Sequence, residues 1–445
     1  MQETRTDRNS SHDEKVRRIC DHLRNYDGEA PLSLKKRGVS HEVPKMKDGR
    51  RYDGKVDISD LDEILHIDTG RMTCSAEPGV TFVDLVRETN RHGLTPIIVP
   101  EFKTITIGGA VAGCSIESMS FNEGGFHDTC LAYEVITAEG EVLECTPDNE
   151  HALVFQMVHG TFGTLGIISR LTFRLIPAKD YVHVVYEKYR TLDEYTEAIW
   201  NHFTRQDVDF MDGIIHGPGE YVLSLGNFTG EAPYANRYDW LKVYYKTTRS
   251  REEDYLTLPD YYFRYDQGVT GVAVESFIGR LLFGKLLGST SKLKIAEKLH
   301  RVLKPENIPI TVDLFVPLKN MDAFMRWYRR EIDFFPLWCV PYRKVREYEW
   351  IDEAFLDRIR DDLLLDIAIY GMKKEKNRNT YRVIEEGLME VGALKTLISD
   401  NHYSEEEFWS IWNRRNYEAV KARTDPRNIF RDLYQKSCRT MRGEE

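Results

Sequence analysis

Two glycine-rich clusters constrain this chain more than any other feature. The first runs Thr104-Ile105-Thr106-Ile107-Gly108-Gly109-Ala110-Val111-Ala112-Gly113-Cys114-Ser115-Ile116-Glu117-Ser118 and is followed by Gly124-Gly125-Phe126-His127. The second is Gly160-Thr161-Phe162-Gly163-Thr164-Leu165-Gly166-Ile167-Ile168. Glycine reaches positive φ and lets main chain approach a ligand with no Cβ in between. Amides in such loops form concavities that hold anions, phosphates above all. Ala110, Ala112, Ser115 and Ser118 are small enough to widen that access. Two tight turns in an α+β domain are the plainer alternative. The familiar dinucleotide patterns are missing. No Gly-x-Gly-x-x-Gly joins a strand to a helix, and no Gly-x-x-x-x-Gly-Lys-Ser/Thr occurs. Neither a Rossmann site nor a P-loop is expected.

A chain of 445 residues with 41% apolar content suits two domains with real cores. The formal net charge of −11 disfavours non-specific nucleic-acid binding, because phosphates would be repelled. No uncharged apolar run reaches the roughly 18 residues of a membrane span. Met1–Lys15 is polar and reads as a frayed tail. The seven cysteines show no Cys-x-x-Cys and no zinc spacing, so reduced thiols in a cytoplasmic protein, and no metal, are expected.

Taken in order, Lys15–Asn25 has a helical pattern. Lys55–Asp68 and Gly70–Glu77 alternate as half-buried strands do. Thr81 is a predicted N-cap for a helix through Arg91, which His92-Gly93 ends. Leu94–Pro100 reads as a strand, Tyr133–Thr137 and Glu141–Thr146 as a hairpin, Pro147–His159 as a helix and Gly163–Ile176 as a long strand. Beyond Pro177 the texture changes to tyrosine- and tryptophan-rich strands spaced by helices. Helices are predicted at Thr191–Thr204, Leu318–Glu331 and Thr380–Val391. Strands are predicted at Phe210–Ile215, Tyr221–Phe228, Thr311–Pro317, Leu337–Pro341 and Leu363–Tyr370. Ser404 and Glu407 fit a capping box opening a helix towards Ala422. Val269–Gly288 is apolar but carries Glu275, Arg280 and Lys285. It suits a buried helical hairpin, or else a lid or a peripheral membrane contact.

Thr106-Ile-Gly-Gly109, Gly113-x-x-Ile116-Glu117-Ser118-x-Ser120 and Gly125-Phe126 resemble the FAD pyrophosphate loop of the vanillyl-alcohol oxidase/p-cresol methylhydroxylase flavoprotein superfamily. Ala132–Val142 is similar to the hairpin that follows in those proteins, and Gly163–Ile168 to the strand that lines the cofactor. Asp425-Pro426-Arg427-Asn428-Ile429-Phe430 is similar to their C-terminal turn. Gly-x-x-Ile-Glu-Ser resembles the Delta(24)-sterol reductase branch most, whereas oxidase branches more often have His-Gly at Glu117-Ser118. Phe315–Lys319 and Phe335–Pro341 also look like sterol-reductase segments.

The resemblance implies an α+β fold: an FAD-binding PCMH-type domain over 1–178, an α+β cap over 179–403, and a C-terminal helical segment over 404–445 that returns to the first domain. It implies non-covalent FAD. The implied contacts are Ser40 and His41 in a basic first loop, then Glu101, Thr106, Ile107, Gly108, Gly109, Gly113, Ser115, Ile116, Glu117, Ser118, Gly125, Gly163, Thr164, Gly166, Ile167 and Ile168. Some members bond a loop histidine to the flavin; His41 is expected to be a plain loop histidine.

FAD passes hydride, so the protein has to position the substrate and manage a proton. Reducing an isolated C=C bond needs an acid beside an apolar pocket, and oxidising an alcohol needs a base. By resemblance, a cap strand ending at Asp400-Asn401-His402-Tyr403 meets the flavin. His402 is the first candidate donor, Tyr403 the second, and Asp400 a group to orient His402. The leading expectation is an NADPH-fed reductase of a sterol-like or isoprenoid lipid. An oxidase or dehydrogenase of a sugar, alditol or lipid-linked sugar is the second, and a flavin-binding regulatory protein the third.

Overall fold

The computed structural model describes residues 5–37, 52–239, 242–266 and 309–439. Ser40, His41 and Val269–Gly288 lie outside the described residues.

The chain builds two sheets and a small parallel pair. The pair is β1 (Leu32–Lys35) beside β2 (Gly54–Asp57). The first sheet uses β3 (Ile64–Asp68), β4 (Thr73–Ala76), β5 (Leu94–Pro96), β6 (Cys130–Ile136), β7 (Val142–Cys145) and β8 (Ile167–Pro177). Its order is β3-β4-β8-β6-β7, with β5 also on β8. The second sheet uses β9 (Tyr181–Tyr189), β10 (Phe210–Gly217), β11 (Glu220–Thr229), β12 (Glu253–Thr257), β13 (Ile310–Pro317), β14 (Leu337–Tyr342), β15 (Leu364–Met372) and β16 (Leu394–Lys395). Its order is β12-β9-β11-β10-β14-β15-β13-β16, antiparallel throughout. The α+β class follows from this segregation of helices against two sheets.

Alternation divides the second sheet into two faces. Met211, Ile215, Leu337, Cys339, Val312, Leu314, Leu365, Ile367 and Ile369 are buried beneath helices Leu192–Arg205, Met321–Glu331 and Thr380–Val391. The residues between them (Phe210, Ile214, Trp338, Val340, Tyr342, Ala368 and Tyr370) join the core shared with the first sheet. The seam between the two sheet regions is therefore the inner face of this sheet.

Local signals hold where a cap fixes them. Thr81 accepts from the Asp84 N–H and opens the helix Phe82–Asn90. Thr191 with Glu194, and Ser404 with Glu407, form reciprocal capping boxes. Other expectations are corrected. Met1–Lys15 is not a tail, because the helix Arg5–Arg24 already includes most of it. His12 and Lys15 fasten it by charge: His12 bonds Glu77 and Glu134 at 2.8 and 2.9 Å, and Lys15 bonds Glu63 at 3.0 Å. Lys55–Asp68 breaks into β2 and β3, since Asp57 Oδ1 accepts from the Ser59 N–H and turns the chain. The predicted helix from Ser404 towards Ala422 is two helices, Glu405–Trp409 and Arg414–Thr424. They part where Asp352 N–H bonds Ile411 O and Asn413 N–H bonds Trp350 O. Asp400–Tyr403 is not a strand but irregular chain after β16, its Asn401 amide bonded to Leu397 O and Ser399 O.

Candidate functional site

The first glycine cluster folds as a short helix, Ile107–Ala112, capped by Thr106, whose Oγ1 accepts from Gly109 N–H at 3.2 Å. Its amides are largely committed within the chain. Ile107 donates to Val80 O and Gly108 to Pro78 O, and Ser115 donates to Ala110 O. Glu117 N–H goes to Ser120 Oγ and Ser118 N–H to the Glu117 carboxylate. Gly108 is glycine for packing: a Cβ there would lie 2.5 Å from Pro78 Cβ. Gly109 is different, since a Cβ would meet only Thr106 Oγ1, at 3.1 Å. Gly113 ends the helix under Ile398, and Cys114 follows at φ 52°. Gly125 donates its N–H to Asp128 at 2.9 Å.

The second cluster lies beside the first, with Gly160 N–H bonded to Val111 O. Gly163 has φ 74°, and its Cβ position is 3.3 Å from Leu34. Gly166 (φ 133°) allows contact with Val135 and Ile136 O, which a Cβ would meet at 2.9 and 3.0 Å. Thr164 is buried and gives its carbonyl to Lys421. Ile167 and Ile168 begin β8 against Ile136 and Val135. Lys36 follows β1 on the same alternation as Leu34 and so on the Gly163 side. Lys35 and Arg37 pair with Asp57 and Asp62, whereas Lys36 has no ion pair among the described residues.

Glu117 and Ser118 turn towards the second domain. Arg264 places one guanidinium nitrogen 3.3 Å from Glu117 and another 3.0 Å from Asp212. Tyr265 and Trp338 donate to Asp212 at 2.7 and 2.9 Å, and Tyr261 donates to Ser118 at 3.2 Å. Arg264 also stacks over Tyr261, 4.1 Å from its centroid. A second fastening joins Arg346 and Tyr348 to Asp128, at 3.0 and 2.8 Å. Behind it His127 and His159 are buried and held neutral by desolvation. Their rings are 5.0 Å apart and edge against Trp350.

His402, Tyr403 and Asp400 gather near the β16 edge. His402 N–H donates to the Glu385 carboxylate at 2.9 Å, and its ring stacks near Tyr381. Glu385 pairs with the fully buried Lys395 at 2.7 Å, and Lys395 also donates to Asp400 O. Asp400 pairs with Lys374 at 3.1 Å. Tyr403 is buried against Trp412, and desolvation holds its hydroxyl protonated.

The structure also brings together groups that the sequence reading left apart. Glu101, in the loop before the glycine helix, shares the seam with Asp313 of β13 and with Asp366 and Tyr370 of β15. Burial pushes the Glu101 carboxyl up to about 8, with Glu117 and Asp313 raising it and Arg264 opposing. Burial pushes Asp313 up to about 6, and Asp366 well above the carboxylate range. The sequence did carry a signal. Each aspartate is a lone charge inside an apolar strand, Thr311-Val-Asp-Leu-Phe-Val316 and Leu363-Leu-Leu-Asp-Ile-Ala368. Among the described residues no group of His, Cys, Asp or Glu could hold a metal ion, and no helix is long and apolar enough to cross a membrane.

The seam fits FAD. Buried polar atoms without a hydrogen-bond partner among the described residues are contributed by both sheets' halves of the chain: His127 Nδ1, His159 Nδ1, Asp366 Oδ1, Ser399 Oγ and Asn401 Oδ1. Gly109 leaves room for a ligand, and Lys36 offers a positive charge with no ion pair among the described residues. Two surface grooves among the described residues lie elsewhere, around Val185–Tyr189 and Tyr255 near β12.

Comparison with known proteins agrees with this fit. Residues 23–146 match the FAD binding domain family. The chain is 28% identical to the Delta(24)-sterol reductase of Homo sapiens over 405 residues, covering 86% of this chain and 77% of that protein. It is 23% identical to the Delta(24)-sterol reductase of Arabidopsis thaliana over 487 aligned positions, covering 98% and 86%. A more distant relative is cytokinin dehydrogenase 5 of Arabidopsis thaliana, 22% identical over 387 positions, covering 79% and 69%.

Proposed function

We propose that this chain, an FAD-dependent oxidoreductase with an FAD-binding PCMH-type domain and a likeness to Delta(24)-sterol reductases, reduces a carbon–carbon double bond of a sterol-like or isoprenoid lipid. NADPH is the electron donor in this reading. The observation that carries it is the reach of the likeness. It extends through the second sheet, which faces the substrate side of the seam, and not only through the cofactor domain. A cytoplasmic location, at the surface of a membrane that holds the lipid, belongs to the same reading. The unpaired state of all seven cysteines supports the reducing compartment.

Bound FAD supplies two-electron hydride chemistry. The remaining work falls to side chains. Gly109 leaves space for the cofactor, and Lys36 offers charge to its diphosphate. Arg264 and Arg346 lock the two domains together and keep water from the seam. Phe315, Tyr342, Trp338 and Val340 give the inner face of the second sheet an apolar, aromatic wall for a hydrocarbon.

The test is an anaerobic one. The protein is reconstituted with FAD, reduced with NADPH, and offered a sterol with a side-chain olefin, a shorter prenyl olefin, or an alditol. Return of the oxidised flavin spectrum with an olefin supports the reading. Bleaching of the oxidised protein by the polyol, with no response to olefins, replaces it with alcohol oxidation.

A further inference from the structure

Three carboxyl groups converge on the seam. Asp313 lies across from Ala368, and Phe315 across from Asp366. The two aspartates are thus diagonal neighbours on the inner face, on the order of 7 Å apart. Asp366 is 4% exposed, and its Oδ1 has no hydrogen-bond partner. Tyr370, four residues along β15 from Asp366 and on the same face, donates to Asp313 Oδ1 at 2.5 Å. Glu101 arrives from the opposite domain and is 8% exposed.

Among the described residues, the main charged and titratable groups felt by Glu101 are Glu117, Asp313, Asp366, Tyr370 and Arg264. Arg264 is the only cation among them, and it is already shared between Glu117 and Asp212. A buried carboxylate lacking its own cation takes a proton instead of bearing the charge. Asp313 alone of the three gains a tyrosine hydroxyl, so it ionises first. Its charge then favours the protonated forms of Glu101 and Asp366.

We propose that Glu101 delivers the proton to the substrate double bond, and that Asp313, Asp366 and Tyr370 are positioning residues that keep it loaded. The proposal rests on the double-bond-reductase reading. In the step, the Glu101 O–H bond breaks and the alkene π pair forms a C–H bond to that proton. The reduced cofactor, when bound, would supply the hydride that the other alkene carbon takes up. The substrate thereby gains two hydrogens and two electrons. The Glu101 carboxylate recovers a proton from solvent.

Glu101→Gln, Glu101→Asp and Asp313→Asn, each loaded with FAD, test it against the wild type. In Glu101→Gln, reduction by NADPH is unchanged, and reoxidation by the olefin slows by about 100-fold or more. Glu101→Asp recovers part of the loss. In the wild type the olefin step slows as pH rises through about 8, where Glu101 ionises. Asp313→Asn moves that limb to lower pH, because the charge that raised Glu101 is gone. Infrared spectra at neutral pH show protonated-carboxyl absorption, of which Glu101→Gln removes one component and leaves that of Asp366.

A wild-type rate in Glu101→Gln, or an unchanged infrared band, overturns the proposal and leaves the reductase reading standing. Should Glu101→Gln fail to hold FAD, an unmoved limb in Asp313→Asn overturns it equally. A wild type that no olefin reoxidises removes the reductase reading, and this proposal with it.

Discussion

Arg264 and Glu117 meet across the domain boundary at 3.3 Å, each almost wholly buried. Asp212 completes the group from β10, at 3.0 Å from the same guanidinium. The Ile116-Glu117-Ser118 segment is thereby a fastening between domains as well as a flank of the cofactor loop. Arg264→Met should strand two buried carboxyls and cost about 3–5 kcal/mol. Urea denaturation of the FAD-loaded protein checks it. Adding Glu117→Gln and Asp212→Asn to Arg264→Met should recover part of the loss.

Gly108 and Gly109 should respond differently to alanine. Gly108→Ala forces a methyl to 2.5 Å from Pro78 Cβ and 3.0 Å from Pro78 O. It should destabilise the apoprotein by about 1–3 kcal/mol. Gly109→Ala meets only a hydroxyl oxygen. It should leave the apoprotein melting temperature near wild type and weaken FAD binding, read by quenching of flavin fluorescence.

His12 should make stability fall at alkaline pH. Burial alone would lower its pKa, but the hydrogen bonds and charges of Glu134 and Glu77 outweigh it and raise the value from 6.5 to about 9. The folded state therefore binds the proton more tightly than the unfolded one. The stabilisation is complete below pH 6.5 and is lost as pH climbs through about 9. Denaturant midpoints for wild type and His12→Ala should differ at pH 6 and converge above pH 9, the window set by that shift.

Lys36→Met should weaken FAD binding by roughly tenfold at low salt, with the difference shrinking as salt rises. Lys35→Met, whose charge is already matched by Asp57, should change it little. Fluorescence titrations at two ionic strengths separate the two.

Much of the fold was legible because caps and alternation are local. Thr81 and Ser404 each opened a helix as the cap their spacing promised, and the helix read from Thr191 starts there. The helix Thr380–Val391 has the bounds that its pattern gave. β9 and β12 were passed over, although Tyr181–Tyr189 alternates, because aromatic and charged side chains there blur the apolar row. The site was less legible for a physical reason. Amides of the glycine segment satisfy one another, and sequence does not show which N–H is already engaged. Glu101, Asp313 and Asp366 belong to one electrostatic group only because β13 and β15 pair and face the first domain. His402 and Tyr403 were placed on a strand by resemblance, but that stretch is tied down instead by Asn401, Glu385 and Lys395.

The most direct measurement is mass spectrometry of the lipid after one anaerobic turnover of NADPH-reduced, FAD-loaded protein in heavy water. The account predicts a saturated product carrying solvent deuterium at the carbon that receives the proton, and a flavin returned to its oxidised form. Unchanged olefin beside a flavin that stays reduced, or an oxidised product such as a ketone, would contradict it.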